Sequence, residues 1–182
     1  LSAFVDHTLS LSYNGGKSVP RLILATPIAF EDRTDAFDLP TGQAENEMLA
    51  LYSKAVLEVA EAKKVGGIDL FTRSQILYAQ SEEPLTLNGC HLNEEGYRAL
   101  SPWLAQLLFG GESKGDNAKL REAIVDRNWF WHSDYRMLNG VHVWGRRWAP
   151  FGNVNYPEEI EKIRQMAELR DEKIWAIAQG KD

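Results

Sequence analysis

The chain has 182 residues, 44% of them hydrophobic and 25% charged, ordinary globular proportions with room for a sizeable core. Its net charge of -6 and pI near 5.3 argue against nucleic acid as the main partner, because gripping phosphates takes a basic face. No apolar run is long enough to span a bilayer, no signal peptide is visible, and the single cysteine, Cys90, excludes an internal disulfide and a cysteine-based metal cluster.

The chain starts at Leu1, directly in an apolar-periodic segment. Helical spacing of Phe4, Val5, Thr8, Leu9 and Leu11 predicts a helix over 2–14, stopped by Asn14, Gly15 and Gly16. RLILA at 21–25 reads as a strand buried on both faces, as in a parallel sheet. Residues 30–43 form a polar loop, in which Glu31, Asp32 and the nearby Asn46 belong close to the site or, in their ordinary role, cap turns and helices. The clearest helix covers 45–64, with Leu49, Tyr52, Val56, Val59 and Ala60 as its apolar stripe and Gly66-Gly67 as its stop. A second strand is expected at 68–71, and 72–84 is a connector with a short helix.

LTLNGCHLNEEGYRAL at 85–100 carries the most chemistry. His91 sits in a turn with Asn88, Gly89 and Cys90, directly before a strong helix start. Asn93 is a good N-cap, Glu94 and Glu95 suit the positive helix end, and Leu92, Leu100, Leu104 and Leu107 form the buried side of a helix over 92–109. A helix beginning two residues after His91 holds that imidazole in place, and a positioned imidazole is the usual general base. Beyond the GGESKG boundary at 110–115, a helix over 117–127 leads into an aromatic stretch with Trp129, Trp131, Trp144 and Trp148, followed by a final helix over 157–178.

The His turn resembles the last block of the SGNH (GDSL-type) hydrolases, Asp-x-x-His-Leu-Asn followed by a Gly-Tyr helix. LILATPIAF, IDLF and the aromatic tail extend the likeness, most of all to a bacterial GDSL-type branch seen in planctomycete and verrucomicrobial proteins. The resemblance implies an α/β fold: an incomplete three-layer, flavodoxin-like parallel sheet over 1–110, with a helical, aromatic-rich extension over 111–182. The strand–helix alternation independently fits a parallel sheet, whose sites lie at the carboxyl ends of its strands. Two strands are too few for a stable sheet, so an upstream half of the same chain is expected to supply others. The implied activity is ester hydrolysis without a cofactor, often on carbohydrate O-acyl esters, and the resemblance favours a periplasmic or secreted protein.

In that family the His is the base for a serine nucleophile, and an Asp three residues earlier orients it. His91 takes the first role, while Asn88 occupies the Asp position. Three readings of Asn88 stay open. It orients a working Ser-His dyad; another carboxylate, with Asp69 nearest, replaces it; or the hydrolase is weak or dead. No serine lies in a Gly-Asp-Ser turn or a Gly-x-Ser-x-Gly elbow, so the nucleophile is expected upstream and this chain alone is expected to be inactive. Cys90 reads as a small apolar filler rather than a nucleophile. His7, His132 and His142 lack metal-site spacing, and no metal is expected. The alternative function is a carbohydrate-binding or scaffold module on a degenerate hydrolase fold, using the tryptophans with Arg146 and Arg147.

Overall fold

The computed structural model of the protein describes residues 1–13, 15–111, 117–136, 140, 145, 146, 149 and 153–181. The chain forms two compact units, Leu1–Ser113 and Lys114–Asp182. The first contains α1 (Ser2–Ser10), β1 (Ile23–Ala25), α2 (Thr34–Phe37), α3 (Gln43–Lys63), β2 (Gly66–Ile68), α4 (Leu70–Gln80) and α5 (Glu94–Phe109). The second contains α6 (Ala118–Tyr135) and α7 (Asn153–Ala178).

The expected three-layer α/β sheet is corrected by these elements. Of the described residues 65% are helix and 6% strand, and the sheet among them has two parallel strands. β1 and β2 pair in the register Ile23↔Gly66, Leu24↔Gly67 and Ala25↔Ile68, joined through α3, which packs along both. Only three residues on each side pair, because Thr26-Pro27 and the helix start at Asp69 close both strands early. β1 is therefore not buried on both faces, and Ile23 remains 51% exposed.

Helix limits follow local chemistry that periodicity underweights. Asp69, read as a strand residue, accepts the Thr72 N–H at 2.9 Å and so starts α4, an eleven-residue helix where a connector with a short helix was expected. Lys64, with φ at 55°, ends α3 before the glycines, which enter β2 instead. α1 stops at Ser10, short of the predicted end. Tyr52 and Leu107, expected on buried stripes, are exposed. The core of the first unit gathers Val5, Ala29, Ala60, Ile68, Phe71, Leu85 and Leu100.

Candidate active site

Both strands hand the chain to one cluster of buried polar groups. The Thr26 hydroxyl oxygen accepts the Phe71 N–H at 2.9 Å, and Ser74 Oγ accepts the Ala29 N–H at 2.8 Å. From α3, Asn46 brackets Phe30, its Oδ1 accepting the N–H and its Nδ2 donating to the carbonyl, both at 2.8 Å. From α4, the Tyr78 hydroxyl donates to the Ala29 carbonyl at 3.2 Å. Burial, then the nearby Glu31 carboxylate, pushes the Tyr78 phenol up to about 12. The segment leaving β1 is thereby pinned by two helices. Asn46, read as a loop or cap residue, acts as its brace.

Glu31 grips the His turn across the fold. Its carboxylate accepts the Leu85 N–H at 2.8 Å, the Thr86 N–H at 2.7 Å and the Thr86 hydroxyl at 2.6 Å. Glu31 N–H in turn donates to the Gly89 carbonyl at 2.9 Å. Arg33 adds a hydrogen bond to the Thr86 carbonyl. Asp32 points elsewhere: it accepts the Thr34 N–H and hydroxyl at the start of α2, which hold its carboxyl below the ordinary value. A cleft of about 450 Å³ beside this segment is lined by Phe30, Glu31, Asp32, Asn46, Tyr78 and Pro84 among others, and neither Asn88 nor His91 lines it.

The turn itself is a tight antiparallel loop. Thr86 bridges Leu92, Leu87 N–H donates to the His91 carbonyl at 2.8 Å, and Asn93 N–H donates to the Leu85 carbonyl at 3.0 Å. Gly89 sits at its tip with φ at 89°, against the Phe30 ring, where a β-carbon would collide with that ring. Asn93 starts α5 as its sequence predicts, Oδ1 accepting the Gly96 N–H at 2.9 Å, while its Nδ2 reaches back to the Pro84 carbonyl at 2.7 Å. Gly96 leaves room for the Leu85 carbonyl, which a β-carbon there would strike.

At the exposed face of this turn Asn88 and His91 meet. Asn88 Oδ1 lies 3.0 Å from His91 Nδ1 and also accepts the backbone N–H groups of His91 at 3.1 Å and Cys90 at 3.4 Å. Two backbone donors identify that atom as the amide oxygen, because an NH₂ group there would face them donor to donor. An oxygen opposite Nδ1 favours the tautomer with the proton on Nδ1 and Nε2 as the acceptor. That is the tautomer a general base needs. Cys90 Sγ lies 3.3 Å from the same Nδ1, so the thiol competes with Asn88 for the nitrogen and does not face Nε2.

The remaining sequence candidates fall elsewhere. Asp69 serves as the α4 cap, and its hydrogen bond goes to Thr72, not to His91. Among the described residues no serine bonds to His91, and no group of three or more His, Cys, Asp or Glu side chains gathers as a metal site. No helix among them is long and apolar enough to cross a membrane. His142, Trp144, Arg147 and Trp148 lie outside the described residues. Glu31 and Thr86 are the structural partners that sequence reading underweighted: a carboxylate directly after an apolar run was the available signal. A scan against protein-family models, a search of curated proteins and a search of solved structures each return no match.

Proposed function

We propose that the chain carries the general-base side of a Ser-His ester hydrolase resembling the SGNH type, with a carbohydrate O-acyl ester as substrate class. The single observation that supports this reading is the 3.0 Å pairing of the exposed His91, through Nδ1, with the Asn88 amide oxygen. In the proposed reaction His91 Nε2 takes the proton of a serine hydroxyl as the serine oxygen attacks the acyl carbon. The imidazolium then gives that proton to the leaving alcohol as the ester C–O bond breaks and acyl-serine remains; water, deprotonated by the same nitrogen, attacks the acyl carbon, and the proton passes to the serine oxygen as the acid leaves. The proposal has the serine come from residues outside this sequence. Asn88 orients the ring without a charge, so it sets the tautomer but stabilises the imidazolium less than an Asp would.

The test is p-nitrophenyl acetate hydrolysis by the protein as encoded. His91→Ala is expected to lower turnover about a thousandfold or more. Asn88→Asp is expected to raise it about tenfold, because the tautomer is already set and only the electrostatic contribution is added. Turnover indifferent to His91→Ala would sink the reading. A carbohydrate-binding module would then be favoured by the exposed rings of the second unit, where Trp131 stacks on Tyr135 at 5.8 Å and Trp129 is 63% exposed. Sugar titration of tryptophan fluorescence, with Trp131→Ala as control, reads that alternative.

A further inference from the structure

Asn88 and His91 are both exposed, so their mutual bond alone cannot hold an imidazole against solvent. What fixes the turn lies underneath it. Glu31 is 8% exposed and Thr86 fully buried. Thr86 gives its hydroxyl proton to Glu31, so its oxygen only accepts, and it accepts the Gly89 N–H at 2.9 Å. The backbone of Glu31 meanwhile holds the Gly89 carbonyl. The residues on both sides of Asn88 are therefore tied to one carboxylate, directly at Leu85 and Thr86 and through a hydroxyl relay at Gly89.

The chemistry of this clamp is directional. An anion buried this deeply is costly unless donors surround it, and three do. A carboxamide of the same shape has one oxygen: with it on the Thr86 side, its NH₂ faces the Leu85 N–H. Turned the other way, its NH₂ faces the Thr86 N–H, and the Thr86 hydroxyl loses the acceptor that fixes its proton. Either way a donor meets a donor, so only a carboxylate satisfies all three donors at once, and through them it fixes the segments on both sides of Asn88.

We propose that Glu31, acting through Thr86, is the positioning residue of the His91 base, holding Asn88 and His91 in the arrangement that keeps the proton on Nδ1. This inference rests on the reading of His91 as base only for its effect on turnover; the tautomer can be read without any turnover.

The experiment is long-range ¹H–¹⁵N correlation of the imidazoles in the ¹⁵N-labelled full chain at about pH 8.5, where imidazoles are uncharged. The wild-type chain is expected to show His91 with a protonated Nδ1 and a bare Nε2. Glu31→Gln and Thr86→Val are expected to stay folded, with α5 amide signals in place, while His91 shifts toward the Nε2–H form. Thr86→Ser, which keeps the hydroxyl, is expected to restore the wild-type pattern. In the hydrolysis assay Glu31→Gln is expected to lower kcat about a hundredfold with KM unchanged. Folded Glu31→Gln and Thr86→Val chains with an unaltered His91 tautomer would overturn the proposal. Wild-type amide exchange tests it without any variant: Leu85, Thr86 and Gly89 N–H must be protected as core amides are, and free-loop exchange at these three would also overturn it. Failure of the base reading is separate, since it shows as hydrolysis that survives His91→Ala whatever the tautomer.

Discussion

The His turn and the α6–α7 hairpin both present rings to solvent, and they are held in opposite ways. Beneath the turn lies one buried carboxylate with three donors, drawn from residues 54 and 55 positions away. The hairpin is laced at its surface. Arg127 forks onto Asp171 at 2.8 and 3.2 Å, Arg170 reaches Asp126 at 2.8 Å and Arg164 reaches Asp134 at 3.2 Å. Arg127 and Arg170 also lie over the rings of Trp131 and Phe130, at 5.1 and 3.7 Å. Among the described residues, the groups buried in this unit are small or aliphatic: Ala123, Ile160, Ala167 and Ile177. Partly exposed pairs of this kind contribute modestly each and are weakened by salt, whereas a buried, fully satisfied cluster loses much when one member goes. The hairpin spreads its register over many weak contacts, and the turn concentrates it in one place. Concentration of that kind is what a site needs, because a base must keep its geometry to a fraction of an ångström.

Three substitutions sharpen this contrast. The largest effect is expected at Gly96→Ala, whose new methyl drives into the Leu85 carbonyl. A loss of about 3 kcal/mol is expected from urea denaturation followed at the first unit. A loss under about 1 kcal/mol would show that the turn yields easily and is not the concentrated element argued here. In the hairpin, Arg170→Ala removes an ion pair and a ring contact together. It is expected to destabilise the second unit by about 1 kcal/mol, less at high salt, and to leave the His91 imidazole signals unchanged.

The smallest effect is set by pH at Tyr78. An unfolded tyrosine ionises near 10, whereas the folded Tyr78 holds its proton up to about 12. Its contribution is therefore fully present below pH 10 and is lost as pH rises from 10 to 12, because only the unfolded chain gains from ionising in that window. Tyr78→Phe is expected to be slightly less stable at pH 8, having lost the bond to the Ala29 carbonyl, and to close that gap by pH 12. A gap that stays constant from pH 8 to 12, measured by denaturant midpoints, would remove Tyr78 from the buried polar cluster.

What the residues alone determined is local. Asn93 as the α5 cap and the start of that helix rest on a partner three residues apart, so spacing in sequence is spacing in space; the Asn88–His91 contact has the same spacing, but the residues left three readings of Asn88 open. The cap at Asp69 was equally local, yet apolar periodicity ran on through it, carrying the second strand to 71 and delaying α4. Tertiary structure alone decided the rest. It limited the sheet to two short strands and left Ile23 exposed. It turned Asn46 from a cap into a brace for Phe30, and it brought Glu31 under Thr86. Each of those pairings spans more than a dozen residues, and a hydrogen bond between distant residues leaves no periodic trace: it exists only once packing has excluded water and brought donor and acceptor within 3 Å.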